Sequence, residues 1–314
     1  MIHEIEEFFG YLAGERCLAA NTLAAYRNDL DQLTAYLASP RAVRLLAASG
    51  NGKATDGIRP ADVTRESVAD FFLFLKEERR YSPATIARKM AAVKSLCQYL
   101  LKTGSISRNP AAEIGTPEVK KPLPRALSVD DVLSLVAQVD KRQSPEGLRD
   151  GAMLRLLYAT GMRVTELVSL DLRDLDQDEA AIKCVGRGGR ERVLPIEPGA
   201  MLALRIYLSE GRGRLARGGA TEALFLNHRG QRLTRQGFWL IMKSLARESG
   251  VSAPVTPHTL RHSFAAHRLR AGVALPRLRY LLGHANLSTT QIYTRLSSQQ
   301  ERPTPSPALA TPVG

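Results

Sequence analysis

The sequence predicts a mainly α-helical protein of two domains, the second of which is α+β and carries a small β-hairpin. Three observations lead there. Apolar residues recur at spacings of three and four through residues 1 to 112, with no convincing strand. A proline-rich stretch then breaks every helix. Beyond it the helical spacing resumes around two short β-like runs. With 314 residues the chain is long enough for two domains, each with its own core.

In the first domain, "NTLAAYRNDLDQLTAYL" sets Leu23, Tyr26, Leu30, Leu33 and Leu37 on one helical stripe, and Asn21 and Thr22 read as its cap. The stretch "SPRAVRLLAASGNGKATDGIRP" reads as a loop or loose insertion because of its Gly, Ser and Asn cluster. In "YSPATIARKMAAVKSLCQYLLKTG", Ser82 and Pro83 begin a long helix that stops at Gly104. The run "NPAAEIGTPEVKKPLPRALS", with prolines at 110, 117, 122 and 124, is the natural linker. The expected division is therefore a helical domain over 1–112, a linker over 113–126 and a second domain over 127–297.

The second domain opens with Ser128 capping "VDDVLSLVAQVDK", and "GLRDGAMLRLLYATG" gives a buried helix ending at Gly161. The runs "AAIKCVG" and "RVLPI", separated by "RGGRE", predict the hairpin. Further helices follow to residue 297. The last stretch, "QQERPTPSPALATPVG", carries four prolines and little apolar content, and 298–314 reads as a disordered tail.

Lys and Arg outnumber Asp and Glu by 44 to 31, a formal charge of +13, which points to a polyanionic partner. The start, "MIHEIEEFFGYL", is acidic and amphipathic rather than a signal peptide, and no apolar run reaches membrane-spanning length. The chain is expected in the cytoplasm, without a membrane partner. Cys17, Cys97 and Cys184 show no metal-ligand spacing and read as buried thiols in a reducing compartment.

Candidate chemistry gathers in the second domain. In "TPHTLRHSFAAHRLRAG", Thr256 caps and Pro257 takes the first helical position, which sets His258 and Arg261 three apart at the helix start. Both should lie opposite the core-facing Leu260 and Phe264, on an outward face where helix dipole and free N–H groups favour an anion. Alone, the pair fits a solvated face as well as a phosphate site. His262 shares that face, whereas His267 falls with Leu260 and Phe264 and reads as a hydrogen-bonded core histidine. In "YATGMRVTELVSL", Gly161 ends one helix and Arg163 starts the next, with Glu166 one turn on to orient its guanidinium. The hairpin tip "GRGGR" is a further basic element, His284 follows Gly283 after "PRLRYLL", and Tyr293 lies in "TTQIYT".

The ordered pattern of Arg163 with Glu166, a β-hairpin, "HTLRH", "LLGH" and "TTQIYT" resembles the tyrosine recombinases of the phage integrase family. The Xer type, which resolves chromosome dimers, is the most similar. "NTLAAYRNDL", "SPATIARKMAAVKS" and "NPA" look like that family's helical, SAM-like core-binding domain, so the resemblance covers nearly the whole chain. It implies that Tyr293 is the nucleophile, that Arg163 and Arg261 bind the scissile phosphate, that His258 is the general acid/base, and that His284 hydrogen-bonds the phosphate. Glu166 would hold Arg163. Arg27, Arg88, Lys89 and Lys94 of the first domain, with Arg190 at the hairpin tip, are the implied DNA contacts. The implied partners are double-stranded recombination sites, a related recombinase in a homo- or hetero-tetramer, and an FtsK-like DNA translocase.

The chemistry is consistent with those roles. A phenol of pKa about 10 is a poor nucleophile at neutral pH. Two guanidinium groups stabilise the charge that develops on the phosphoryl oxygens, and a covalent phosphotyrosine conserves the bond energy for rejoining. Because guanidinium groups take the charge-neutralising role, and no carboxylate cluster looks like a metal site, no cofactor and no metal are expected. One position departs from the family. Where relatives carry a lysine on the hairpin, "CVGRGGRERV" has Arg187, whose pKa above 12 makes it a reluctant proton donor. Lys183 is the nearest lysine, roughly 13 Å along the strand. A mobile-element integrase, a type IB topoisomerase-like enzyme and a catalytically weakened DNA-binding protein stay open as alternatives.

Overall fold

The computed structural model describes residues 1–18, 20–48, 58–119, 126–284 and 290, and of Ala48 and Arg187 it describes the backbone. The chain divides into two compact units, Met1–Lys121 and Pro122–Gly314.

The described residues of the first unit are helical, without a strand: α1 (Ile2–Gly14), α2 (Ala20–Leu37), α3 (Pro40–Ala48), α4 (Arg65–Glu77) and α5 (Pro83–Lys102). Its core gathers Phe8, Leu30, Leu37, Phe71, Leu75, Met90 and Leu96. The Ser82 hydroxyl accepts from the Thr85 amide at 3.2 Å and so caps α5 with Pro83 at the first position. Two expectations change here. Asn21 and Thr22 lie inside the first turn of α2 rather than capping it. Part of the expected loop is α3, because the Ser39 hydroxyl accepts from the Ala42 amide at the start of an Arg-Ala-Val-Arg-Leu-Leu run whose Ala42 and Leu46 are buried four apart.

The second unit begins with α6 (Val129–Asp140), closed by a capping box between Ser128 and Asp131, and α7 (Pro145–Thr160), capped by Ser144. Helix α7 ends in Gly161 at φ +61°, where an added Cβ would lie 2.2 Å from the Phe264 ring, so both backbone and packing require glycine. Next come α8 (Val164–Ser169) and an antiparallel sheet, β1 (Leu175–Asp176), β2 (Ala181–Val185) and β3 (Glu191–Pro195), in the order β1-β2-β3. The hairpin stands where expected, and β1 adds a third strand too short for a periodic signal. Alternation points Ile182 and Cys184 of β2, and Arg192 and Leu194 of β3, into the protein. After the sheet, α9 (Pro198–Ile206) runs through a wide turn at Tyr207–Arg212 into α10 (Gly213–Ala216). Helices α11 (Arg235–Glu248), α12 (Pro257–Arg270) and α13 (Leu275–Leu282) complete the described part. The core lies around α7, with Leu154, Leu157, Leu204, Phe225, Phe238, Leu260 and Leu282 fully buried.

Among the described residues no helix is long and apolar enough to cross a membrane. Cys97 and Cys184 are buried, and burial pushes their thiols up to about 12 and about 11. Cys17, expected to be buried, is exposed.

Candidate active site

Three arginines from distant parts of the second unit meet at the C-terminal end of α13. That helix stops at Gly283 with φ +61°, which leaves its last carbonyls without intrahelical partners. Arg192 Nε donates to the Leu281 carbonyl at 3.0 Å, Arg261 Nη2 to Leu282 at 2.5 Å and Arg163 Nη2 to Gly283 at 2.8 Å. Three successive carbonyls thus carry three guanidinium groups, and the negative end of the helix offsets part of their mutual repulsion. An added Cβ at Gly283 would lie 2.7 Å from Arg192 Nη1, so a side chain there would push that guanidinium aside.

Arg163 stands at the N-cap of α8. Glu166 accepts from the Arg163 amide at 2.6 Å and from its Nη1 at 2.9 Å, a capping box in which the capping residue's own guanidinium is held as well. Arg192 closes on the same carboxylate in a bidentate pair, at 2.9 and 2.7 Å. Burial would raise the Glu166 carboxyl, but the hydrogen bonds from Arg192 and the Arg163 amide, with both guanidinium charges, hold it below the usual carboxylate range. Glu166 therefore remains charged and keeps the two arginines together.

Arg261 corrects an expectation. Helical periodicity sets it on an outward face with His258, yet it is 6 % exposed, while His258 is open to solvent. The two-faced wheel fails because the first half of α12 is enclosed on several sides, with Pro257, Leu260, Ser263 and Phe264 also buried. A guanidinium can lie there because it spans two helix ends, donating to the Gly161 carbonyl after α7 and to Leu282 in α13, both at 2.5 Å.

His284 follows Gly283, and its Nδ1 lies 3.0 Å from the Thr290 hydroxyl. Burial, then Arg261, Arg163, Arg192 and His262, lower its pKa to about 4, so the ring is neutral at neutral pH. Burial with His258 and Arg261 likewise lowers His262 to about 4. His267 sits within 2.8 Å of the Tyr158 hydroxyl, the hydrogen-bonded histidine expected there.

The structure brings Arg163, Glu166, Arg261 and His284 to one place, with His258 one helical turn before Arg261. Arg187 stands in the hairpin tip that joins β2 and β3, in a short 3₁₀ turn at Arg187–Gly189. Tyr293 lies outside the described residues. Lys183 is engaged on the strand with Glu191 at 2.8 Å. Arg192 escaped the sequence reading, although its signal was present: a charged residue at an inward position of a strand.

Several implied DNA contacts have partners within the protein. Lys89 is 2 % exposed and its ammonium lies 2.8 Å from buried Asp29, so it is a core ion pair and not a surface contact. Arg88 pairs with the same carboxylate from its exposed side. Arg27 binds Glu6 at 2.5 and 3.0 Å and lies over the Phe9 ring, and Lys94 donates to the Ile114 carbonyl at 2.6 Å. Arg190 is exposed at the hairpin tip. Among the described residues no group of His, Cys, Asp and Glu could hold a metal ion.

Residues 125–300 match the phage integrase family, and residues 5–104 match the phage integrase N-terminal SAM-like domain. Over 301 residues the chain is 48% identical to the tyrosine recombinase XerC of Roseiflexus castenholzii, covering 95% of this chain and 90% of that protein. The tyrosine recombinase XerD of Listeria monocytogenes is 43% identical over 294 residues, 93% of this chain and 94% of that one. Two solved structures share the fold. A lambda integrase dimer bound to a COC′ core site has a TM-score of 0.71 at 17% identity, covering 97% of this chain and 98% of that chain. XerH bound to a palindromic difH substrate has 0.68 at 20%, covering 94% and 92%. The chain belongs to the phage integrase family and is a tyrosine-type site-specific recombinase.

Proposed function

We propose that this recombinase acts as an Xer-type enzyme, resolving chromosome dimers by cutting and rejoining double-stranded DNA through a 3′-phosphotyrosine intermediate. In this reading Arg163 and Arg261 take the non-bridging oxygens of the scissile phosphate, and neutral His284 donates a further hydrogen bond. His258 accepts the phenolic proton of Tyr293 as its oxygen forms a bond to phosphorus. The bond from phosphorus to the 5′ oxygen breaks, and in this reading Arg187, which stands where relatives carry a lysine, protonates that oxygen. Rejoining reverses these steps with a hydroxyl from another strand. The arginines stabilise charge that grows in the transition state, where such contacts accelerate the reaction most.

The observation that carries this reading is the convergence of Arg163, Arg261 and His284 on the end of α13. Each guanidinium carries five N–H donors in a planar fork that suits the oxygens of a phosphate. Similarity to the XerC and XerD recombinases supports the chromosomal role, and the solved neighbours, XerH bound to a difH substrate and lambda integrase bound to a core site, support DNA as substrate. The working assembly would be a homo- or hetero-tetramer on two sites, directed by an FtsK-like translocase, in the cytoplasm on the nucleoid.

The test is a nicked suicide site that traps the covalent adduct. Wild type should accumulate it, and Tyr293→Phe should bind the same DNA without forming it. Adduct formation by the Phe variant would remove Tyr293 from the mechanism.

A further inference from the structure

We infer that Arg192 is a positioning residue for strand cleavage, holding the hairpin and its Arg187-bearing tip in register with the phosphate-binding arginines. This rests on the proposed role of the tip in leaving-group protonation. The starting point is strand alternation. Positions 182, 184, 192 and 194 face inward, and three of them carry the apolar side chains Ile, Cys and Leu. An arginine in the fourth place is costly to bury, and an aliphatic residue would pack there without that cost. A buried charge at such a site fixes one arrangement rather than adding stability.

The arrangement it fixes joins three parts of the site. Arg192 belongs to β3, five residues after Arg187. Its two Nη atoms grip both Glu166 oxygens, and Glu166 also holds Arg163. Its Nε donates to Leu281 in the turn that leads to His284. A planar guanidinium bound at three atoms sets angle as well as distance, which a lysine ammonium in the same place cannot do. The surroundings allow little slack: an added Cβ would lie 2.7 Å from Arg192 Nη1 at Gly283 and 3.3 Å at Gly186. Arg163 keeps its own bonds to Glu166 and Gly283 if Arg192 is changed, so the part that loses a polar tie to the site is the hairpin, which the core side chains Ile182, Cys184 and Leu194 still hold to the unit.

The test compares wild type, Arg192→Lys and Tyr293→Phe, each the full chain, on a suicide site with a normal phosphodiester or a 5′-bridging phosphorothiolate. The sulfur leaves without protonation. For Arg192→Lys, DNA binding should stay within about twofold of wild type. Adduct formation per folded molecule should fall by about 10² on normal DNA, the low end of a general-acid effect, and most of the loss should disappear on the phosphorothiolate. Unchanged rates on normal DNA, or equal slowing on both substrates, would overturn the inference. If Arg192→Lys does not fold, Arg192→Gln, which retains a donor for Leu281, is judged by the same two rates. Adducts formed by Tyr293→Phe would instead refute the proposed mechanism, so the two failures are distinguishable.

Discussion

Replacing Glu166 by Gln keeps the shape of the side chain and removes the charge that holds two arginines. The carboxylate side chain is 3% exposed and that of Arg192 is 6% exposed, whereas the Arg163 side chain is 32% exposed and can regain water. The loss therefore falls mainly on Arg192, whose two charged hydrogen bonds face one amide oxygen and one repelling NH₂ group after substitution. Breaking a buried ion pair from one side costs about 3–5 kcal/mol, and the water open to Arg163 puts this case near the lower figure, about 3 kcal/mol. For a unit of this size that is a fall in melting temperature of roughly 6 to 12 °C. Trp239, the chain's single tryptophan, lies on α11, so its fluorescence during urea unfolding reports on the second unit. The double variant Glu166→Leu with Arg192→Met removes both charges and should cost less than Glu166→Gln alone. Because Glu166 has a lowered pKa in the folded protein, its contribution is present above its ordinary value of 4.5 and is lost as pH falls below it. The Gln penalty should shrink accordingly in acid. An unfolding free energy within about 1 kcal/mol of wild type at pH 7, or a double variant less stable than the single, would refute the reasoning.

Lys89→Ala should destabilise the first unit by about 3 kcal/mol, because Asp29 keeps only its partner at the surface, with no change in the salt dependence of DNA binding. Arg190→Ala should do the reverse, leaving stability alone and lowering the salt slope by about 1 in a binding titration. Arg187→Ala should cut normal DNA about 10² to 10⁴ more slowly and recover on the 5′-bridging phosphorothiolate. If instead Arg187→Ala cuts normally and Lys183→Ala is inactive, the acid is Lys183. His262 and His284, both lowered to about 4, gain protons more readily unfolded than folded, so the DNA-free protein should lose stability as pH falls from about 6.5 towards 4. A His262→Asn, His284→Asn variant that keeps the full pH dependence would exclude them as its source.

Features encoded within a few residues were legible in the sequence. Ser82, Ser128 and Gly161 mark helix ends by chemistry that acts over one turn, and the Arg163–Glu166 pair is a capping box three residues long. What escaped depends on chain brought from far away. Arg192 meets Glu166 across 26 residues and Leu281 across 89, so nothing near it in sequence announces a partner. Arg261 was misplaced because a helical wheel assumes one solvent side, whereas α12 has the Gly161 turn and the end of α13 against it. Lys89 looked like a free surface cation because Asp29 lies 60 residues earlier.

If Arg163 and Arg261 take the scissile phosphate as proposed, the three carbonyls at the end of α13 would make the turn at Gly283 a reporter of phosphate occupancy. A phosphodiester drawn to Arg163 and Arg261 would neutralise charge on groups that hold Gly283 and Leu282, and the grip on those carbonyls would change with it. Coupling of this kind is reciprocal. By whatever factor a bound phosphate favours the ordered turn, the ordered turn favours the phosphate.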